Sequence, residues 1–225
     1  VQKSPMALML YLATVRAGLV YLPLNTAYKA AEVEYFLTDA EPAVIVCDSQ
    51  SLDWVSALAG KTGTPHVFTL DADGKGSLVE AAADSPADFA TVQNAEDDLA
   101  AILYTSGTTG RSKGAMLSHR NLSSNAQVLN AYWGWRSDDV LLHMLPIFHV
   151  HGLFVAIHGA LINGSPMLWL NRFDARPVVA LLPRATVFMG VPTLYVRMLA
   201  EPALTPAQAA HMRLFISGSA PLLIE

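Results

Sequence analysis

The sequence is poor in charge, has a single cysteine and contains no long apolar run. Charged residues make up 15% of the 225 residues and the formal net charge is −5, whereas an average soluble domain is roughly 25% charged. So few cations on an acidic chain argue against a nucleic-acid partner bound through its phosphates. The longest apolar stretch, residues 6–15, is too short to cross a bilayer, so no membrane span is expected. Cys47 has no partner for an intramolecular disulfide, which favours a reducing, cytoplasmic location.

Apolar residues are nevertheless abundant, at 52% of the chain, and they occur in short runs that alternate with stretches of helical pattern. Strands are expected at residues 20–22, 43–47, 66–70, 99–104, 114–119, 140–145, 166–170, 186–189 and 214–217. Helices are expected at residues 6–16, 30–37, 51–58, 78–83, 121–133, 148–161, 175–182 and 192–199. This alternation predicts βαβ units with a parallel sheet that is buried on both faces.

The most informative segment follows the apolar run at residues 99–104. Residues 105–114 contain three glycines, five hydroxyl side chains and two cations, and no acid occurs between residues 99 and 137. Glycines let a ligand approach the backbone, while N–H groups, hydroxyls and cations bind phosphate oxygens. We call residues 105–113 the phosphate loop. Its candidate ligand-binding residues are Thr105, Ser106, Gly107, Thr108, Thr109, Gly110, Arg111 and Lys113.

The phosphate loop is not a Walker A loop. That motif requires Gly directly before the Lys and Ser or Thr directly after it, whereas Ser112 precedes Lys113 and Gly114 follows it. Because residues 114–119 predict a strand, no helix N-terminus is expected there to bind an anion. The alternative interpretation is an ordinary flexible hairpin loop.

Three segments together resemble the adenylate-forming superfamily of acyl-CoA synthetases, luciferases and adenylation domains. YTSGTTGRSKGAMLSHRNL at residues 104–122 resembles its phosphate-loop signature, and LPIFHVHG at residues 145–152 is similar to the segment that borders its acyl pocket. LFISGSAPL at residues 214–222 is similar to the turn that lies against adenine, with Ser219 in place of the family's second glycine. The wider sequence is similar to malonyl-CoA synthetases along its whole length.

The resemblance implies an α/β fold composed of two flavodoxin-like parallel-sheet subdomains, incomplete at both ends, from the large N-terminal domain of an adenylate-forming enzyme. Residues 1–98 would be part of the first subdomain, and residues 99–225, with the phosphate loop, part of the second. The carboxylate that holds Mg²⁺ and a C-terminal domain with a catalytic lysine would lie beyond Glu225. We therefore expect the chain alone to be inactive.

The implied activity is an ATP-dependent ligation of an acid to a thiol. A carboxylate attacks the α-phosphate of ATP, which is bound with Mg²⁺, to give an acyl-adenylate and pyrophosphate, and the thiol of CoA then displaces AMP. Malonate or methylmalonate is the acid that the resemblance favours. Two alternatives remain open: an adenylation domain that loads an acyl group on a carrier protein, and a non-catalytic nucleotide-binding fragment. No oligomeric state is predicted.

The resemblance also assigns roles to single residues of the nucleotide site. Lys113 and Arg111 would neutralise phosphate charge during attack of one anion on another. The residues that would border the adenine are Ser217, Gly218, Ser219, Ala220 and Pro221.

On the acyl side, His149 and Val150 would line the pocket, with His149 in a catalytic position, while His151 is expected to be structural. A metal pair formed by His149 and His151 is the alternative, but no third ligand occurs at suitable spacing and no metal is predicted. Arg197 and Thr193 share a helix face at i, i+4. We expect Arg197 to bind the second carboxylate of a diacid, because such a charge cannot be buried unpaired. A solvated surface arginine is the alternative.

Overall fold

The computed structural model describes residues 1–105 and 112–221, which group into two compact α/β units. Unit 1 is Val1–Ala95 with Leu99–Met116, and unit 2 is Glu96–Asp98 with Leu117–Glu225. Residues 99–116 group with unit 1 because backbone hydrogen bonds join them to Tyr21: the Tyr21 N–H donates to the Ala100 carbonyl at 2.9 Å, and the Ile102 N–H donates to the Tyr21 carbonyl at 3.0 Å. The subdomain boundary at residue 98 stays a prediction.

The described residues of unit 1 form four helices and four short strands. The helices are α1 Pro5–Arg16, α2 Ala30–Ala40, α3 Leu52–Thr62 and α4 Ser77–Ala82, with a 3₁₀ turn at Ser49–Ser51. The strands are β1 Val44–Cys47, β2 His66–Thr69, β3 Leu99–Thr105 and β4 Lys113–Ser118. β1 and β2 pair in parallel, and β3 and β4 are neighbours in a second sheet. The strand expected at residues 20–22 is reduced to one bridge between Tyr21 and Ala101.

Local sequence explains where α1 begins and ends. Ser4 is its N-cap and accepts a hydrogen bond from the Ala7 N–H at 3.1 Å, while Pro5 occupies the first turn, where no N–H is needed. Gly18 follows the helix with a φ of 72°, and a Cβ at this position would lie 2.8 Å from a Val92 methyl group. Glycine is therefore required both for the left-handed backbone and for the close approach.

Unit 2 contains a parallel sheet of four strands in the order β6-β5-β7-β8. The strands are β5 Leu141–His143, β6 Met167–Trp169, β7 Val187–Gly190 and β8 Leu214–Ser217. The helices are α5 His119–Trp133, α6 His158–Asn163, α7 Ala175–Leu181 and α8 Pro192–Leu199, with a 3₁₀ turn at Leu182–Arg184. All four residues of β7 are buried, as expected for a central strand of a parallel sheet.

A single helix was expected at residues 148–161, but the structure has a π-helical segment, His151–Ile157, that runs directly into α6. At Gly152, within this segment, a Cβ would lie 2.0 Å from the Pro146 carbonyl oxygen, so the backbone passes Pro146 more closely than a larger residue would allow. The His143 side chain, which is fully buried, donates from Nε2 to the Gly152 carbonyl at 3.0 Å. The end of β5 therefore holds the start of the π-helical segment in place.

A buried carboxylate links the segments that directly precede β5, β7 and β8 in unit 2. Asp139 has no exposed surface and accepts hydrogen bonds from the Arg136 N–H, the Thr186 hydroxyl and the Arg213 guanidinium. Burial alone would raise the pKa of Asp139, but these donors together lower the pKa below its ordinary value. In the described parts of the chain, no helix is both long and apolar enough to cross a membrane.

Candidate active site

The carboxyl ends of the parallel strands in unit 2 gather the candidate residues. β5 ends at His143, β7 at Gly190 and β8 at Ser217, and the Gly218 N–H donates to the Gly190 carbonyl at 3.2 Å. In open α/β sheets, ligands bind in the crevice beyond these carboxyl ends. The end of β8 and the turn that follows it, residues 217–221, therefore lie where a ligand site is expected.

Two of the three motif segments meet at this edge through His151. The Ser219 hydroxyl is hydrogen-bonded to His151 Nδ1 at 3.3 Å, and a Cβ added at Gly218 would lie 3.4 Å from the His151 ring. His151 is 8% exposed, and its burial lowers the pKa of the imidazole, which favours the neutral form. The sequence predicts a structural role for His151. In the structure, His151 links the segment expected at the acyl pocket to the turn expected at the adenine.

Ser219 is held in an unusual backbone conformation. Its φ is 65°, in the left-handed region that favours glycine. The adenylate-forming family that this sequence resembles has glycine at this position, so serine adopts this φ at a cost in conformational free energy that glycine would avoid. The hydrogen bond to His151 is the interaction that offsets this cost in the structure.

Ser217 offers an unsatisfied polar atom at the same edge. Its Oγ is buried and makes no hydrogen bond to any of the described residues. A buried hydroxyl without a partner costs about 1–3 kcal/mol. Nearby, the Tyr195 hydroxyl donates to the Ile216 carbonyl at 2.6 Å, which fixes the end of β8. Two other residues predicted to border the adenine, Ala220 and Pro221, are exposed.

His149 and Val150 lie just before the π-helical segment, and both are exposed; Val150 has 47% of its surface accessible. The ring of His149 packs on Phe148 with centroids 4.5 Å apart. Although His149 reaches solvent, desolvation by its neighbours lowers the pKa of its ring. Both side chains are therefore accessible to a ligand, and neither is buried in the hydrophobic core.

Arg197 extends from α8 and is exposed. Its guanidinium carbon lies 4.8 Å from the centroid of the Phe173 ring, a cation–π contact that orients the side chain. Within residues 1–105 and 112–221, Arg197 forms no ion pair with a carboxylate. Its charge is therefore available to an acidic ligand.

In unit 1, the structure describes only the two ends of the phosphate loop. Thr105 is the last residue of β3 and Lys113 the first of β4, and both side chains are exposed. The predicted residues that lie outside the described part of the chain are Ser106, Gly107, Thr108, Thr109, Gly110 and Arg111.

Magnesium was expected to be bound by a residue beyond Glu225. Across the described ranges, no three His, Cys, Asp or Glu residues come together as ligands for a metal ion. The roles of the side chains discussed here do not depend on a bound Mg²⁺, for which a protein often supplies only one or two carboxylates beside the substrate phosphates.

The comparison with protein families decides the family. The model of the AMP-binding enzyme family matches residues 1–225. The chain belongs to the AMP-binding enzyme family. The superfamily and the α/β fold class predicted from the three motif segments are thereby confirmed.

This chain is also similar in sequence and structure to individual CoA ligases. The mitochondrial malonate–CoA ligase ACSF3 of Mus musculus is 34% identical over 227 residues, which cover 93% of this chain and 38% of the mouse protein. The crystal structure of ATP-bound MatB from Rhodopseudomonas palustris superimposes with a TM-score of 0.95 at 59% identity, covering 99% of this chain and 44% of that one. A malonyl-CoA ligase in complex with methylmalonyl-CoA and AMP superimposes with a TM-score of 0.78 at 32% identity, covering 98% and 45%. The chain thus spans less than half the length of each relative.

Proposed function

We propose that this chain is the nucleotide- and acid-binding part of an ATP-dependent acid–CoA ligase that acts on malonate or methylmalonate through an acyl-adenylate. The proposal is supported by family membership and by the malonate–CoA ligases among its relatives. The single structural observation that carries the choice of a diacid is Arg197, a cation on α8 that is exposed and has no carboxylate partner among the described residues.

The first step joins two anions, and the cations of this chain supply the opposing charge. An oxygen of the acid attacks the α-phosphorus of ATP, and the bond to pyrophosphate breaks. Lys113 and Arg111, with the hydroxyls and N–H groups of the phosphate loop, are proposed to stabilise the charge on the phosphates. In the second step the sulfur of CoA attacks the acyl carbon and AMP leaves. No described residue is assigned to CoA or to Mg²⁺.

Arg197 is proposed to select the acid. A short diacid brings one carboxylate to the α-phosphate and must place the other against the protein, where an unpaired charge would be costly. A guanidinium binds a carboxylate through two parallel hydrogen bonds, which a lysine cannot reproduce. Orientation by the Phe173 ring reduces the rotamer freedom that Arg197 would lose on binding. His149 and Val150 are proposed to border the remainder of the acyl group.

The cellular compartment also belongs to the proposal. The single cysteine fits a reducing compartment such as the cytoplasm, whereas the mouse relative is a mitochondrial protein. Family membership is therefore compatible with either compartment, and the cytoplasm remains our proposal for this chain.

The experiment that tests the proposed function measures two products for each acid. The protein at its full natural length is incubated with ATP, Mg²⁺, CoA and malonate, methylmalonate or acetate, and both pyrophosphate and the CoA thioester are quantified. We expect one thioester per pyrophosphate, with malonate or methylmalonate preferred over acetate. Pyrophosphate release that requires a carrier protein instead of CoA would support the carrier-loading alternative. Nucleotide binding with no pyrophosphate release from any acid would support a non-catalytic role.

A further inference from the structure

One face of α2 contacts the backbone or side chain at both ends of the phosphate loop. Tyr35 and Asp39 are four residues apart on this helix and therefore lie on the same face. The Tyr35 hydroxyl donates to the Ser112 carbonyl at 2.8 Å. The Tyr104 hydroxyl donates to Asp39 Oδ2 at 2.5 Å. Ser112 directly precedes Lys113, and Tyr104 directly precedes Thr105, so a single helix holds the residues on both sides of the loop.

The rings that carry these hydroxyls pack against one another. Phe36, which is 2% exposed, lies 4.4 Å from the Tyr104 ring and 5.5 Å from the Tyr35 ring, measured between centroids. The Tyr35 and Tyr104 rings themselves meet edge to face at 6.1 Å. Because packing already restricts the rings, each hydroxyl forms its hydrogen bond with little further loss of side-chain freedom. The charge-assisted bond from Tyr104 to a carboxylate is the stronger of the two.

The strand that carries Lys113 is close to its neighbour at the same place. A Cβ added at Gly114 would lie 3.0 Å from a methyl group of Ile102 on β3, so β4 approaches β3 directly after Lys113. The backbone of residues 112–114 is thus fixed from two directions, by Tyr35 on one side and by β3 on the other.

We propose that Tyr35 is a positioning residue for Lys113, and that α2, through Tyr35 and Asp39, sets the spacing between the two ends of the phosphate loop. The inference rests on the proposed function, because the contact of Lys113 with phosphate is part of that function. Fixing the ends of a loop before the ligand arrives removes conformational freedom that binding would otherwise have to remove. Tyr35 acts through the Ser112 carbonyl, so its loss should weaken ATP use rather than acid use.

The decisive variant is Tyr35→Phe, which keeps the ring and removes the hydroxyl. In the protein at its full natural length, we expect the KM for ATP to rise about threefold to tenfold, the size of one lost hydrogen bond. The KM for malonate, and thioester formation from a supplied acyl-adenylate, should remain unchanged, since pyrophosphate has left by then. Tyr104→Phe, which removes the bond to Asp39, should give the same pattern. If Tyr35→Phe raised the KM for ATP and malonate in equal proportion, its role would be structural support and the proposal would be overturned.

Tyr28→Phe is the matched control. The Tyr28 ring packs on Phe36 with centroids 5.1 Å apart, in the same aromatic group, but its hydroxyl makes no hydrogen bond with any residue that the structure describes. Removing this hydroxyl should leave every kinetic constant unchanged. A rise in the KM for ATP equal to that of Tyr35→Phe would overturn the proposal.

Limited proteolysis tests whether Tyr35 holds the backbone of residues 112–114, and this test does not depend on the ligase activity. Trypsin cleaves after Lys113 only when the local backbone opens, so the cleavage rate reports how firmly residues 112–114 are held. We expect Tyr35→Phe to be cleaved there about threefold faster or more, the effect of one lost hydrogen bond, and Tyr28→Phe to be cleaved like the wild type. An unchanged cleavage rate in Tyr35→Phe would overturn the proposal that Tyr35 holds the backbone of residues 112–114. A wild-type protein that forms no acyl-adenylate would refute the proposed function, while this comparison would still decide whether α2 holds the loop.

Discussion

Lys113 and Arg197 are exposed cations that form no ion pair within the described ranges, and each is proposed to meet a different anion. Lys113→Ala removes the charge proposed to bind the phosphates. Adenylate formation should then fall by about 10² or more, while thioester formation from a supplied acyl-adenylate falls little, because pyrophosphate has already left. The two half-reactions are measured separately by pyrophosphate release and by thioester formation. Equal losses in both would refute this role.

Arg197→Ala tests the choice of acid at the level of one residue. We expect the kcat/KM for malonate to fall by about 10², while that for acetate changes little, because acetate has no second carboxylate to bind. The matched control is Arg176→Ala, since Arg176 is also an exposed helical arginine, on α7, and has no role in the proposed site. Proportional losses for malonate and acetate would show that Arg197 supports the structure, through its contact with Phe173, rather than the substrate.

At the scale of elements, the turn after β8 depends on a serine in a glycine-like conformation. Ser219→Ala loses the hydrogen bond to His151 and keeps the left-handed φ of 65°, so we expect a loss of about 1 kcal/mol in the free energy of unfolding. Ser219→Gly loses the same bond but relieves a backbone cost of roughly 1–2 kcal/mol, so its stability should match or exceed that of the wild type. Chemical denaturation of the three proteins measures the order. If Ser219→Gly is less stable than Ser219→Ala, the backbone at this turn is not under strain.

Elements set by local sequence could be predicted, and contacts between distant segments could not. The buried run at residues 186–189 predicted β7 because its apolar residues suit a strand buried on both faces. The prediction of a strand at residues 20–22 was wrong, since only Tyr21 pairs, through a single bridge to Ala101, and no local pattern in the sequence indicates how far such pairing extends. Similarly, the bond from Tyr35 to Ser112 joins residues 77 positions apart. It depends on how α2 packs against β3, which is a property of the folded unit.

The candidate site shows the same division. Motif resemblance predicted the phosphate loop, the segment at residues 145–152 that would border the acyl pocket, and the turn at residues 217–221 that would border the adenine, because each is a contiguous stretch of sequence. The sequence predicts a structural role for His151 but not its partner, since nothing local indicates that a residue 68 positions later would bind it. Ser219 itself was a usable signal: a serine at a position where the family has glycine suggests that its side chain has a partner.

For the whole molecule, acid stability should be governed first by histidines and later by carboxylates. Burial lowers the pKa of His158 from about 6.5 to about 4, and the pKa values of His149 and His151 are also lowered. Below pH 6.5 the unfolded chain binds protons that the folded chain does not, so stability should fall as the pH drops from about 6.5 towards 4. Asp139, whose pKa is lowered in the folded state, adds a further loss at still lower pH.

Denaturation midpoints measured between pH 7 and pH 4 check this expectation, using His158→Gln in parallel. The variant cannot take up the proton, so its stability should depend less steeply on pH between 6.5 and 4 than that of the wild type. His66→Gln is the control, because His66 is an exposed residue at the start of β2. If His158→Gln had the slope of the wild type, another group would be responsible for the loss.

The π-helical segment at His151–Ile157 has a consequence for length variation in this chain. An α-helix turns by about 100° per residue, and a π-helical turn accommodates one residue more than an α-helical turn. Deleting one residue after Gly152 would remove that additional residue and convert the turn to a regular α-helix, while the residues on either side keep about their present orientation. His151, the first residue of the segment, would then still face Ser219. A single-residue deletion is therefore the milder change here, and a substitution of Gly152, where a Cβ would lie 2.0 Å from the Pro146 carbonyl oxygen, is the more damaging one.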